Sequence, residues 1–167
     1  MTDAIIIVTT GGTIDKVYFD AKSEFEVGDS VVERLLAQAH VRQAYEIVPL
    51  MRKDSLELDD ADRAAIRDAI AARSERRIVI THGTDTMTDT ATVLEGIADK
   101  TIVLTGALAP ARFAESDAVF NVGMAFGAVQ SLPAGVYICM NGQVFEAARV
   151  IKDRSKNAFV PRPESAD

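Results

Sequence analysis

Five short apolar runs, each separated from the next by a stretch of helical period, constrain this chain more than any other feature. They are Ile5-Ile6-Ile7-Val8 within a strand of about residues 4–9, Tyr45 to Leu50, Ile78 to Thr81, Thr101 to Thr105, and Gly135 to Met140. Near-continuous β-branched runs of this length belong to strands buried on both faces, and such strands occur in parallel sheets sandwiched by helices. The intervening stretches carry helix signals. Asp29 or Ser30 can cap a helix through Val31, Leu35 and Leu36 that ends near His40. Asp59 opens a second, with Ala61, Ala64, Ala65, Ile66, Ala69 and Ile70 as its apolar stripe and Arg63, Arg67 and Asp68 outside. A third runs from about Met87 to Ala98. A fourth passes through Val119, Val122, Gly123, Ala125, Phe126 and Val129 and stops before Pro133.

Strict alternation of this kind predicts an α/β fold: a three-layer α/β/α sandwich around a parallel sheet, with right-handed crossovers. Five parallel strands fit the flavodoxin-like order 2-1-3-4-5, which puts a pocket between strands 1 and 3. Three segments fall outside the alternation. Tyr18 to Gly28 reads as irregular or hairpin-like, and Gly106 to Ser116 as a loop containing Pro110 and Arg112. Asn141-Gly142 is a hairpin turn into Val144–Ile151, making a C-terminal β-hairpin, and Lys152 to Asp167 is expected to lie extended over the surface. Residues 1–167 read as one domain, and the Met and Phe positions as core.

The formal charge of −7 argues against a nucleic-acid or anionic-membrane partner, because both favour basic patches. Cys139 is the single cysteine, so no internal disulfide can form, and its apolar setting (Val136 to Met140) marks an inert core thiol. Met1-Thr2-Asp3 lacks the basic and apolar character of a signal peptide, and no apolar run is long enough to span a bilayer. A cytoplasmic location is expected.

Two of the strands end in hydroxyl-rich loops: Thr9-Thr10-Gly11-Gly12-Thr13 after the first, and Thr81-His82-Gly83-Thr84-Asp85-Thr86 after the third. Gly11-Gly12-Thr13 alone fits either a phosphate cradle or a tight turn, but no further spaced glycine and no Gly-Lys-Ser/Thr follows. Thr84 or Asp85 could simply cap the next helix, His82 could simply position a loop, and Lys152 could be a solvated lysine. Taken together, the two loops place hydroxyls at the carboxyl edge where open α/β sheets bind ligands. A threonine hydroxyl needs a partner to take its proton before it attacks. Two sources are open: the phenol of Tyr18, or a relay of Thr84, Asp85 and a lysine held neutral, Lys152. Glycine-loop N–H groups could form an oxyanion hole.

Thr10-Gly11-Gly12-Thr13-Ile14 and His82-Gly83-Thr84-Asp85-Thr86-Met87 resemble the two signatures of bacterial-type L-asparaginases. Thr105-Gly106-Ala107-Leu108-Ala109-Pro110 is similar to that family's Gly-Ala-Met-Arg-Pro loop, and Phe120-Asn121 to its Phe-Asn helix start. The resemblance implies hydrolysis of the asparagine side-chain amide to aspartate and ammonia without metal or organic cofactor. Residue by residue, Thr13 falls on the nucleophile, Thr84 and Asp85 on the second threonine and its aspartate, and Lys152 on the lysine of the relay. Ser55 falls on the serine that binds the substrate carboxylate, Asp85 also on the α-amino contact, and Gly12 and Gly83 on the substrate-lining backbone. The chain departs from the pattern in four places. Tyr18 stands closer to Thr13 than the family's loop tyrosine, Leu56 replaces a polar residue, Ala109 replaces an arginine, and the resemblance spans only the family's catalytic half, without its second, C-terminal domain. A homodimer or homotetramer is expected to cover the surface that domain would meet, and asparagine is expected to be preferred over glutamine. Two rivals are an amidase module of a tRNA-dependent amidotransferase and a catalytically silent amino-acid-binding domain.

Overall fold

A computed structural model describes residues 4–164 of the chain. Its central sheet is built from β1 (Ile5–Gly11), β4 (Tyr45–Lys53), β5 (Arg77–Thr81), β6 (Thr101–Thr105), β7 (Gly135–Met140) and β8 (Gln143–Glu146), in the order β4-β1-β5-β6-β7-β8. The first five are parallel, and β8 is added antiparallel through the Asn141-Gly142 turn. Counting parallel strands alone, the order is 2-1-3-4-5, the flavodoxin-like arrangement that the alternation of runs predicts. The topological switch falls between β1 and β5, where Thr9 pairs with Thr81.

Alternate residues of each strand enter opposite cores, which is why the runs are apolar throughout. Ile5, Ile7, Val79, Val103 and Cys139 face α1 (Val32–Gln38) and α4 (Ala118–Ser131). Ile6, Val8, Ile78, Ile80, Ile102, Leu104 and Ile138 face α2 (Asp60–Ala71) and α3 (Met87–Leu94). Burying each such isoleucine contributes about 1.5–3 kcal/mol relative to leaving it in water. Burial pushes the Cys139 thiol up to about 12, so it stays protonated and packs as a small apolar group.

Several local expectations are revised. The buried stripe of α2 is Arg63, Ile66 and Ile70, while Ala61, Ala64 and Ala65 face solvent. Alanine is a strong helix former at exposed positions, so counting it as apolar rotated the stripe. Arg63 is therefore inside, not outside, and its aliphatic stem adds to that stripe. Helix α3 ends at Leu94, because Glu95 is extended and Gly96 follows with φ 89°. Ser30 Oγ accepts from Val32 N (3.3 Å) at the start of α1, whereas Asp29 is paired with Arg52. Phe19, Phe25, Phe113 and Phe120 are exposed, not core.

The Tyr18–Gly28 region is a hairpin of β2 (Lys16–Phe19) and β3 (Glu24–Val27). The expected long strand Val144–Ile151 is broken by a 3-10 turn at Ala147–Arg149, and Val150–Ile151 begin β9 (Val150–Asp153). The tail does not lie extended: it doubles back into β10 (Ala158–Pro161), antiparallel to β9. Phe159 on β10 is buried in the α2/α3 core, and that contact holds the second hairpin down. Residues 165–167 of the expected tail, and Met1-Thr2-Asp3 at the other end, lie outside the described residues. Among the described residues, no helix is long and apolar enough to cross a membrane.

Candidate active site

The carboxyl ends of β1, β4 and β5 bring three loops into contact. Thr10 Oγ1 donates to Thr81 O (2.8 Å), lacing β1 to β5, and Gly12 N donates to Lys53 O (3.0 Å), lacing β1 to β4. Gly12 adopts φ 91°, and a Cβ there would lie 2.4 Å from Gly83 N. Gly83 in turn sits on Ser55, where a Cβ would come within 2.6 Å of the serine Cβ. Only glycine fits these two contacts: Gly12 has a positive φ and lies against the Gly83 main chain, and Gly83 leaves no room for a Cβ beside the Ser55 side chain. Thr86 Oγ1 donates to Ser55 O (2.7 Å), so the buried Ser55 is held from both sides. Gly12, Gly83 and Ser55 are thus brought together.

Thr13 opens the 3-10 turn Thr13–Asp15 immediately beyond Gly12 and is half-buried. Tyr18 lies on β2 with its ring half-exposed and edge-on to Phe25 (5.3 Å between centroids). Among the described residues, no hydrogen bond joins the Tyr18 hydroxyl to Thr13. Phe25 also meets Phe113 (5.8 Å), which ties the β2–β3 hairpin to the loop before α4.

Lys152, on β9, reaches back over the sheet to the second motif. Its Nζ donates to Thr84 Oγ1 (2.6 Å) and to Asp85 Oδ1 (2.7 Å), and its side chain is only 8% exposed. These partners lie 68 and 67 residues away in sequence. A lysine exposed this little is a fixed donor, not a solvated surface charge. Because Nζ donates to Thr84 Oγ1, the proton of Thr84 is free to point elsewhere.

Asp54, which sequence reasoning overlooked, immediately precedes Ser55. Its carboxylate pairs with Lys16 Nζ (2.9 Å) and accepts from Leu56 N (3.0 Å), capping the 3-10 turn Ser55–Glu57. Burial acts to raise its proton affinity, but the Lys16 and Leu56 hydrogen bonds and the charges of Lys16 and Lys152 outweigh it. The carboxyl is held below the usual carboxylate range. A cleft of about 600 Å³ lies between the β2–β3 hairpin and the Ser55–Glu57 turn, lined in part by Lys16, Phe25, Val27, Asp54, Leu56 and Glu57 but not by Thr13, Ser55, Thr84, Asp85 or Lys152. Leu56 is 62% exposed, so it offers an apolar contact at the rim.

His82 and Asn121 support the floor. His82 is fully buried, with Nδ1 2.6 Å from Gly83 O and Nε2 2.7 Å from Thr90 Oγ1. A carbonyl only accepts, so Nδ1 carries the proton and Nε2 accepts from Thr90. Burial lowers the imidazole pKa to about 4, against an opposing hydrogen bond to Gly83, so the ring is neutral at physiological pH. Asn121 Nδ2 donates to Gly106 O (2.9 Å), and Asn121 Oδ1 accepts from Asn141 N (2.9 Å). Asp117, also unremarked in the sequence, collects Leu108 N, Ala109 N, Asn121 Nδ2 and Asn141 Nδ2. Its place just before α4, after Ser116, was the available signal, since aspartate there gathers loop N–H groups. Among the described residues, no group of three or more His, Cys, Asp or Glu is placed to hold a metal ion.

Residues 4–161 match the family model described as Asparaginase, N-terminal. The chain is 31% identical over 164 residues to a glutaminase-asparaginase of Acinetobacter glutaminasificans, covering 89% of this chain and 49% of that protein. It is 31% identical, again over 164 residues, to L-asparaginase 2 of Escherichia coli, covering 89% of this chain and 46% of that one. Its fold superposes on L-asparaginase I from Vibrio cholerae with a TM-score of 0.81 at 26% identity, over 96% of this chain and 52% of the other. The chain spans about half the length of the relatives it matches. On the family match, which takes in both threonine loops and Lys152, this chain belongs to the asparaginase family.

Proposed function

We propose that this protein is an L-asparagine amidohydrolase that works through a covalent acyl-threonine. The observation that carries the reading is Lys152 Nζ, 2.6 Å from Thr84 and 2.7 Å from Asp85 across a hairpin that sequence distance alone would not join. Binding alone does not need a lysine buried against a hydroxyl; proton transfer does. Thr13 Oγ1 attacks the side-chain amide carbon and forms a C–O bond. The oxyanion is stabilised by N–H groups of the glycine loops. The tetrahedral species collapses, the C–N bond breaks, and ammonia leaves with a proton returned through the site. Water then cleaves the acyl-threonine ester, which releases aspartate and restores the Thr13 hydroxyl. The proton of Thr13 is taken by Tyr18 or by the Thr84–Asp85–Lys152 relay. Ser55 receives the substrate α-carboxylate, Asp85 the α-amino group, and Gly12 and Gly83 line the site. In this reading no cofactor takes part, and the cytoplasm is the compartment proposed for it.

Purified protein incubated with asparagine tests the reading by ammonia release. Release that requires an added partner subunit would favour the amidotransferase-module alternative, and asparagine binding without ammonia would favour a silent binding domain. Asparagine is expected to be hydrolysed with at least roughly tenfold higher kcat/KM than glutamine. The extra methylene displaces the amide carbon when the α-groups stay anchored, and a misplacement of about 1 Å costs on the order of a hundredfold. Equal or better efficiency on glutamine in parallel steady-state assays overturns that preference.

A homo-oligomer is also proposed. Val119 (53% exposed) and Phe120 (63%) open α4, and Phe120 lies beside the Gly142 turn. Apolar side chains clustered at one edge favour coverage by a second copy. Light scattering across a dilution series is expected to give at least the dimer mass. A monomer mass with retained activity refutes the proposal.

A further inference from the structure

We propose that Asp15 is a positioning residue for the Thr13 hydroxyl, acting through the N-terminus of α1. The inference rests on the reading of Thr13 as the nucleophile. Asp15 closes the same 3-10 turn that Thr13 opens, and it is 1% exposed. Four hydrogen bonds radiate from this turn. Asp15 Oδ1 accepts from Val31 N (3.0 Å), which ends the segment leading into α1. Asp15 O accepts from Gly28 N (2.9 Å), fixing the far end of the β2–β3 hairpin. Asp15 N donates to Gly12 O (3.2 Å), and Ile14 O accepts from Ala111 N (3.0 Å). The backbone bonds set the shape of the turn. Among these four bonds only the carboxylate's reaches the start of α1, so it is the one side-chain tie between the Thr13 turn and that helix.

A hydrogen bond to a charged carboxylate is roughly twice as strong as one to a neutral oxygen. The protonation state of Asp15 therefore sets the strength of the tie. Burial raises the Asp15 pKa to about 6; the Val31 N–H and the charge of Arg112 oppose the shift without cancelling it. The groups around it are few. Arg112, in the loop before α4, acts on it by charge, and Asp29 and Arg52, paired with each other, line the same cavity of about 350 Å³ together with Thr9 and Ser30. Lys16, next in the chain, is engaged by Asp54.

The sign of the linkage separates positioning from plain structure. A carboxyl whose folded pKa is raised above its ordinary 3.8 contributes stability below about pH 4 and loses it as pH rises through about 6. At pH 8 the ionised, buried Asp15 weakens the fold while it tightens the turn. Asp15→Asn keeps an oxygen for Val31 N–H but removes the charge. A purely structural residue would lose stability and activity together on substitution, whereas a positioning residue that costs stability loses activity alone.

The test compares the full wild-type chain with Asp15→Asn, using kcat and KM for asparagine from pH 4.5 to 8.5 and the melting temperature at pH 8. Wild-type kcat is expected to fall below about pH 6. Asp15→Asn should lack that fall, sit at least about tenfold below wild type at pH 8, keep KM within about twofold, and melt no lower. Wild-type kcat in Asp15→Asn, persistence of the acid fall, or joint loss of kcat and melting temperature overturns the proposal. If wild type releases no ammonia from asparagine or glutamine, the amidase reading fails instead. Amide NMR then decides: the Thr13 and Val31 resonances moving together near pH 6 in wild type and not in Asp15→Asn supports the tie, and independent movement overturns it.

Discussion

Thr13→Ala is expected to leave the sheet intact and to abolish ammonia release from asparagine, with kcat down by roughly 10⁴-fold or more, the scale of removing a nucleophile. Thr13 is half-buried in a turn whose backbone bonds run through Gly12 and Asp15, not through its own hydroxyl. Deleting Oγ1 and the methyl removes the atom proposed to attack, while the Gly12–Gly83–Ser55 contact and the Asp15–Val31 tie remain. Circular dichroism and thermal melts matching wild type establish folding, and an ammonia assay reads turnover. A folded Thr13→Ala sample that retains near-wild-type turnover removes Thr13 from the chemistry and passes the role to another hydroxyl, with Thr84 the next candidate.

The second large effect belongs to Lys152 and Thr84. Lys152→Met keeps most of the side-chain volume without the amino group, and Thr84→Val keeps the shape without the hydroxyl. Each is expected to lower kcat by roughly 10²–10⁴-fold, the span of general acid–base catalysis. The double mutant should be little worse than either single mutant, because groups acting as one unit are not additive. Multiplying losses would mean independent roles and dismiss the relay. Lys152→Met also leaves Asp85, whose side chain is about a third exposed, without its Nζ partner 2.7 Å away. A melt must accompany the kinetics, and Thr84→Val, which removes no charge, serves as the cleaner arm.

The fold was legible because its signals are local. Ile5-Ile6-Ile7-Val8 and Ile78-Val79-Ile80 are apolar on both faces, which a half-exposed strand would not tolerate, and their alternation with helical stretches leaves few topologies. The errors arose where local composition is ambiguous. Alanine reads as apolar yet sits outside on α2, and Arg63 reads as polar yet lies on the buried stripe with Ile66 and Ile70. The tail reads as extended because Pro161 and Pro163 break regular structure, but burial of Phe159 folds it back onto β9. Exposed Phe25 on β3 and Phe113 in the loop before α4 find each other although distant in sequence, a contact no periodicity encodes.

The same division runs through the site. By itself the sequence determined which strands end in threonine and glycine, and hence that hydroxyls and close-packed backbone meet at the switch between β1 and β5. Strand order follows from burial pattern and chain handedness, both of which are written locally. Only the tertiary structure decided that Lys152 arrives at Thr84 and Asp85, that Asp54 bridges Lys16 and the Ser55 turn, and that Asp15 is sealed against Val31. A charged residue's role depends on its distance to other charges and on its loss of water. Both are set by how hairpins and loops fold back on the sheet, not by the residues beside it in the chain.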